Sequence, residues 1–298
     1  MSGTKIDPQV VREAQLVMLR MLRQVDRICR ENNISYWLDS GTLLGAVRHR
    51  GFIPWDDDVD ICMLRDDYEK FLKIAPPILP QDMFLQNYRT DKFFRDNFTK
   101  IRDNNSLLIS EEELEEPILF HQGIFIDIFP MDKLSTHKWV RYFWRRILIR
   151  RIYTCCSFII KHRQRSIRKP FFYNLGRNIR VILTKTLFDK CTFPNKKVAA
   201  FIEGKLRRFS TIQSENKGRF VLGYGYSTVF TETYSYDVIF PLRELTFEGV
   251  QFYVPNDYDQ YLRNLYGDTY MQLPKEENRR QHAVRIIPAL NKDVKFSI

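Results

Sequence analysis

A chain of 298 residues, 44% of them hydrophobic and with only 12 glycines and 13 prolines, can bury a substantial core, which argues against broad disorder. The five cysteines (Cys29, Cys62, Cys155, Cys156, Cys191) are odd in number and lack the CxxC spacing, against a disulfide framework or a zinc site and in favour of a reducing, cytoplasmic setting. The net charge of +11 is concentrated: Lys138 to Lys190 holds fifteen basic residues and one acid, Asp189, a net +14 that leaves the remainder of the chain at −3.

The polar start Met1 to Lys5 leads into a helix rather than a secretory signal. Asp7-Pro8 reads as an N-cap with proline at the first helical position. Val11, Ala14, Met18, Met21, Leu22, Val25 and Cys29 follow at mostly three- and four-residue steps, an apolar helical stripe that Asn32-Asn33 ends. Ile34 to Leu38 predicts a short strand. Ser40-Gly41-Thr42 then turns the chain into a helix over Leu43 to Arg48, whose first amides are available to a phosphate. Gly51 and Pro54 mark a turn, and a second strand is expected from Val59 to Met63.

Asp66 to Ile74 reads as a helix stopped by Pro76 and Pro77. Phe98–Arg102 and Ser106–Ser110 are expected to pair as strands. A third strand, Gly123 to Pro130, carries a lone acid, Asp127, flanked by bulky apolar residues, which calls for something to satisfy it. From about Thr136 to Asn195 the chain turns basic and aromatic, with helices expected. Leu245 to Val254 reads as β-structure, Tyr258 to Leu265 as helix, and Tyr266-Gly267-Asp268 and Pro274 follow. No apolar run approaches the roughly 18–20 residues of a membrane span.

Asp56, Asp57, Asp58 and Asp60 lie almost side by side. On a strand, Asp58 and Asp60 share a face about 6–7 Å apart, with Val59 and Ile61 turned to the core. Two carboxylates at that distance repel by about 2.5 kcal/mol at an effective dielectric near 20, and a divalent cation between them reverses the sign. Asp-Asp-Asp alone could be a solvated turn; the apolar alternation after it argues for an ordered strand. With Asp127 on a neighbouring strand, the acids make a constellation for metal-assisted phosphoryl transfer, Asp56 being a further ligand or a supporting acid.

Around this cluster several residues are candidates for substrate contact. Gly41 and Thr42 could cradle a diphosphate, or simply start a helix. Of Arg48, His49 and Arg50, at least one is expected to pair with a carboxylate or a substrate phosphate. Lys100 and Arg102 share a strand face and could neutralise a leaving phosphate. Trp55 is a ring platform or a packing residue, and His282, close to Arg279 and Arg280, is a surface or a site histidine.

The stretches Gly41 to His49, Gly51 to Ile61 and Ile126 to Asp132 closely resemble the LicD family, which includes relatives of fukutin and fukutin-related protein. Tyr258 to Pro274 resembles its C-terminal pattern. The resemblance implies an α+β, nucleotidyltransferase-like fold: a mixed sheet with flanking helices. Its Gly-Ser turn, paired acids and distal acid map onto Gly41-Thr42, Asp58/Asp60 and Asp127, with Thr42 in place of serine. Members move a phospho-substituent such as phosphocholine or ribitol phosphate from a CDP-linked donor, for instance CDP-choline, to a glycan hydroxyl, with Mg²⁺ or Mn²⁺, and CMP leaves. Asp58, Asp60, Asp127 and Asp56 are thereby expected to hold metal, and Asp127 to accept the hydroxyl proton as well. A same-fold rival transfers the nucleotide itself to a small molecule or RNA; a rival of another class is a non-catalytic scaffold at a membrane.

The expected division is a catalytic core over 1–135, a basic aromatic helical insertion over 136–215, and a C-terminal part over 216–298 that completes the core. In the insertion, Trp139, Tyr142, Phe143 and Trp144 interleave with Arg141, Arg145, Arg146, Arg150 and Arg151. That pattern fits an interfacial helix on the inner face of the cell membrane, with about 1 kcal/mol per cation near an anionic leaflet. A packed or solvated face is one alternative and nucleic-acid contact the other. No recognised nucleic-acid module is present.

Overall fold

A computed structural model of the chain describes residues 6–111 (except 88, 92, 93, 95 and 97), 120–135, 220–224 and 232–290 (except 280). The basic segment 136–215 and the membrane contact expected of it lie outside the described residues.

Helix α1, Pro8–Glu31, begins as its sequence dictates: Asp7 accepts a hydrogen bond from the Gln9 amide at 2.8 Å, and proline takes the first turn. Its apolar stripe is fully buried against the strands β4, Thr99–Asp103, and β6, Phe125–Ser135. Between these come β1, Trp37–Leu38, α2, Ser40–His49, β2, Asp60–Leu64, α3, Arg65–Ile74, β3, Met83–Gln86, and β5, Leu107–Ser110. The later elements are β7, Phe220–Gly223, β8, Thr233–Tyr234, the single-turn α4, Tyr236–Ile239, β9, Arg243–Phe247, β10, Val250–Val254, α5, Tyr258–Tyr266, and β11, Ala283–Ile287.

The result is α+β. Seven of the described strands form one mixed sheet in the order β1-β2-β6-β4-β3, with β7 and β8 continuing from the far half of β6. Only β2 and β6 run parallel among these pairs. Their register sets Asp60 opposite Asp127, so two acids meet at the start of the shared ladder. Pro130 sits between the stretch of β6 that pairs with β4 and the stretch that pairs with β7, a gap suited to a residue without an N–H. No helix among the described residues is long and apolar enough to cross a membrane.

Three expectations change. The first strand shrinks from Ile34–Leu38 to Trp37–Leu38. The helix after the turn begins earlier, at Ser40. The strands 99–103 and 107–110 do not pair with each other: β4 joins β3 and β6, while β5 pairs with the distant β11. The Asp103 side chain accepts from the Asn105 amide at 3.0 Å, and this tight turn carries the chain out of the sheet instead of folding it back as a hairpin.

Two glycines of the motif are close-approach residues. A Cβ on Gly45 would lie 2.5 Å from the Gly51 carbonyl oxygen, and one on Gly51 would meet Glu248 Oε1 at 2.5 Å. Glu248 is itself clamped to Arg12 and to the Phe52 amide, and heads the β9–β10 turn where it and Gly249 have φ of 51° and 77°. Because the Gly45 neighbour is backbone, it has little room to yield. Gly45→Ala is expected to cost about 2–3 kcal/mol in urea unfolding. An unchanged midpoint would show that the turn after α2 is slack.

Candidate active site

Four acids lie around the start of β2, with Asp60 and Asp127 opposite each other in register. The Asp127 amide donates to the Val59 carbonyl at 2.7 Å, and the Asp39 amide to the Asp60 carbonyl at 3.0 Å, tying β6, β2 and the entry to α2 together. Asp58 lies just before β2 and not on it as the alternation suggests, but it remains within the field of its neighbours. Asp60 and Asp127 are buried and Asp56 and Asp58 partly so.

Burial raises the proton affinity of all four, and they raise one another's. Asp60 is pushed well up by desolvation and then by Asp58, Asp127, Asp39 and Asp56. Asp56 is pushed well up by burial, Asp58 and Asp57. Asp58 is raised by burial and Asp57, against the pull of His282 and Lys100. Burial brings Asp127 up to about 6 despite Lys100. Such mutual repulsion among buried carboxylates is what a bound divalent cation relieves, and an all-oxygen donor set suits Mg²⁺ or Mn²⁺ better than a softer metal.

Asp57 has a different task. It accepts from the amides of His282 and Ala283 at 3.1 and 2.6 Å and so staples the acidic stretch to the start of β11. Ligand atoms of Asp57, Asp58 and His282 come within 4.8 Å of one another, the imidazole Nε2 standing 4.0 Å from Asp58. His282, whose side chain is largely exposed, thus belongs at the site's edge.

The turn into α2 is strained. Ser40 has a φ of 46°, in the left-handed region, and its buried hydroxyl has no hydrogen-bond partner among the described residues. A Cβ on Gly41 would sit 2.8 Å from Asp56 Oδ2, so the glycine admits the carboxylate. The Thr42 hydroxyl is buried and accepts from the Asp60 amide at 2.9 Å. It holds the backbone of Asp60 and still has its own hydrogen to donate.

The cations separate as well. Lys100 donates to both oxygens of Asp127 at 2.6 and 2.9 Å, with its ammonium 3.5 Å from the centre of the Phe125 ring. Arg102, expected beside it as a phosphate contact, is only 1% exposed. Its guanidinium donates to Gln86 Oε1 at 2.5 Å and to the Gly123 carbonyl at 2.7 Å, which makes it part of the core. None of Arg48, His49 and Arg50 forms an ion pair among the described residues. Arg48 donates to the carbonyls of Tyr270 and Gln272 and draws the Asp56 carboxyl down, and burial with Arg48 lowers His49. Trp55 packs on the core and carries the Arg279 guanidinium at 4.5 Å from its ring centre, so that this face is already covered.

A further buried acid, Asp39, escaped the sequence reading. It accepts from Tyr261 at 2.8 Å, from the Cys62 thiol at 3.1 Å and from the Tyr224 hydroxyl. Its carboxylate lies behind Asp60 and adds to the negative field there. The available signal was its position, a lone acid ending the apolar run Tyr36 to Leu38.

The family model described as LicD/FKTN/FKRP, nucleotidyltransferase domain, matches residues 33–150. The chain is 30% identical over 285 residues to the lipopolysaccharide cholinephosphotransferase LicD of Haemophilus influenzae, covering 92% of this chain and 96% of that protein. It is 43% identical over 53 residues to human ribitol 5-phosphate transferase FKRP, 16% of this chain and 11% of that protein. An uncharacterised Rickettsia typhi protein is 33% identical over 123 residues, 39% of this chain and 35% of that one.

Proposed function

This chain belongs to the LicD family, and on that premise we propose that it moves a phospho-substituent, phosphocholine or a similar group, from a CDP-linked donor such as CDP-choline to a glycan hydroxyl. The observation that supports it most is the parallel register of Asp60 and Asp127 inside a group of acids that raise one another's proton affinity. A divalent cation, Mg²⁺ or Mn²⁺, would be held by Asp58, Asp60 and Asp127 with Asp56 beside them, and would supply positive charge to the phosphate oxygens.

The acceptor oxygen attacks the phosphorus bearing the substituent, the bond from that phosphorus to the bridging oxygen breaks, and CMP leaves. Asp127 is also the carboxylate that would take the hydroxyl's proton. Lys100, seated over Phe125, supplies a positive charge at this end of the cleft. A glycan or its lipid-linked precursor is the acceptor, and the basic stretch 138–190 would bring the enzyme to an anionic membrane surface from the cytoplasmic side.

Incubation with a panel of CDP-alcohols and Mg²⁺, with and without a glycan acceptor, should release CMP only where the donor is correct. Pyrophosphate from a nucleoside triphosphate, with no CMP from any member of the panel, would favour nucleotidyl transfer instead.

A further inference from the structure

Two cations bracket the acids: Arg48 acts on Asp56, and Lys100 on Asp127 and Asp58. Tyr266 is a neutral group in the same field. It is the last residue of α5, which stops at Gly267 with φ 82°. The chain on either side of it is pinned to the site. Tyr261, about a turn and a half earlier, donates to Asp39 at 2.8 Å, and the carbonyls of Tyr270 and Gln272 accept from Arg48 at 3.1 and 3.2 Å.

The Tyr266 phenol lies in the field of Asp60, Asp39, Asp56 and Asp58, which with burial of its surroundings raise its proton affinity, and it acts on Arg48 in turn. Even so, 45% of the residue is exposed, and its hydroxyl has no hydrogen-bond partner among the described residues. A phenol without a partner at the edge of an acid cleft is a donor kept for a ligand. An anionic phosphate approaching several carboxylates needs donors that the acids do not capture. Lys100 is captured by Asp127, and the phenols of Tyr224 and Tyr261 by Asp39; the Tyr266 phenol is held by none of these acids.

We propose that Tyr266 is a substrate-contacting residue whose hydroxyl donates to a phosphate oxygen of the nucleotide half of the donor, on the Arg48 side of the acids. The assignment rests on the CDP-linked donor of the preceding subsection.

Calorimetric titration of the full-length chain with CMP and with cytidine, at saturating Mn²⁺, tests it. Tyr266→Phe keeps the ring and removes the hydroxyl. It is expected to weaken CMP about tenfold, the loss of one hydrogen bond to a charged group, and to leave cytidine affinity, Mn²⁺ affinity and Tm at wild-type values. Wild-type CMP affinity in the variant overturns the proposal. So does an equal loss of CMP and cytidine, or a loss of Mn²⁺ affinity and Tm along with them, since each marks a packing role. If wild type binds Mn²⁺ but neither CMP nor cytidine, the cytidine-donor reading itself fails and this assignment falls with it.

Discussion

Asp60→Asn should lose at least about three orders of magnitude in turnover and yet, kept in EDTA, unfold at a higher temperature than wild type. Both results come from one electrostatic fact. Asp60 is buried and faces Asp58, Asp127, Asp39 and Asp56, which with desolvation raise its proton affinity well above that of an ordinary aspartate. A carboxyl that binds its proton more tightly folded than unfolded adds stability below the unfolded value, and that stability drains away as pH rises through the folded one. For Asp127 the window runs from the unfolded value near 4 to about 6; for Asp60 it starts at the same place and runs upward from there.

The metal-free enzyme is therefore expected to be more stable near pH 5 than near pH 7.5 as far as these acids are concerned, and the asparagine variant to lose part of that dependence. Removing one charge should be worth about 1–2 kcal/mol at neutral pH, a rise of about 2–3 °C in Tm. Adding Mg²⁺ should raise the Tm of wild type and have little effect on the variant. Differential scanning calorimetry with and without the cation decides. A variant less stable than wild type in EDTA, or one that keeps the full Mg²⁺ shift, would show that Asp60 has a structural partner and is no ligand.

Much of this arrangement is legible in the sequence, because the signals are local. The Asp7-Pro8 cap, the apolar stripe of α1 and the punctuation by Gly51 and Pro54 each act within a few residues. The acids of the site could be named for the same reason: alternation around Asp60 and the apolar flanks of Asp127 place both on strands. What escaped depends on partners far along the chain. Asp39 is explained only by Tyr224 and Tyr261, and Asp57 only by the amides at the start of β11. Thr42 shows the limit in another form. A hydroxyl beside a glycine fits a phosphate donor and a backbone acceptor equally well, and the 2.9 Å contact with the Asp60 amide shows the second role, which nothing local in the sequence announces.

Lys100 and Arg102, two residues apart on one strand, are expected to fail in opposite ways when replaced. Arg102→Ala should cost about 3–5 kcal/mol in urea unfolding, because it empties a fully buried site and strips Gln86 Oε1 and the Gly123 carbonyl of a charged donor. Lys100→Met should cost far less at neutral pH. Its methylenes still pack over Phe125, and Asp127, deprived of the cation that pulls its pKa down, can take up a proton instead of standing charged and alone. That escape has a catalytic consequence. With Lys100 gone the Asp127 pKa moves above about 6, so the acid limb of the pH–rate profile should shift upward and turnover at neutral pH fall by about 10²-fold or more. Parallel unfolding curves and pH–rate profiles separate the two residues. If Arg102→Ala folded as stably as wild type and lost only donor affinity, the arginine would be a phosphate contact after all. If Lys100→Met kept both its rate and its acid limb, the ion pair with Asp127 would have no part in the chemistry.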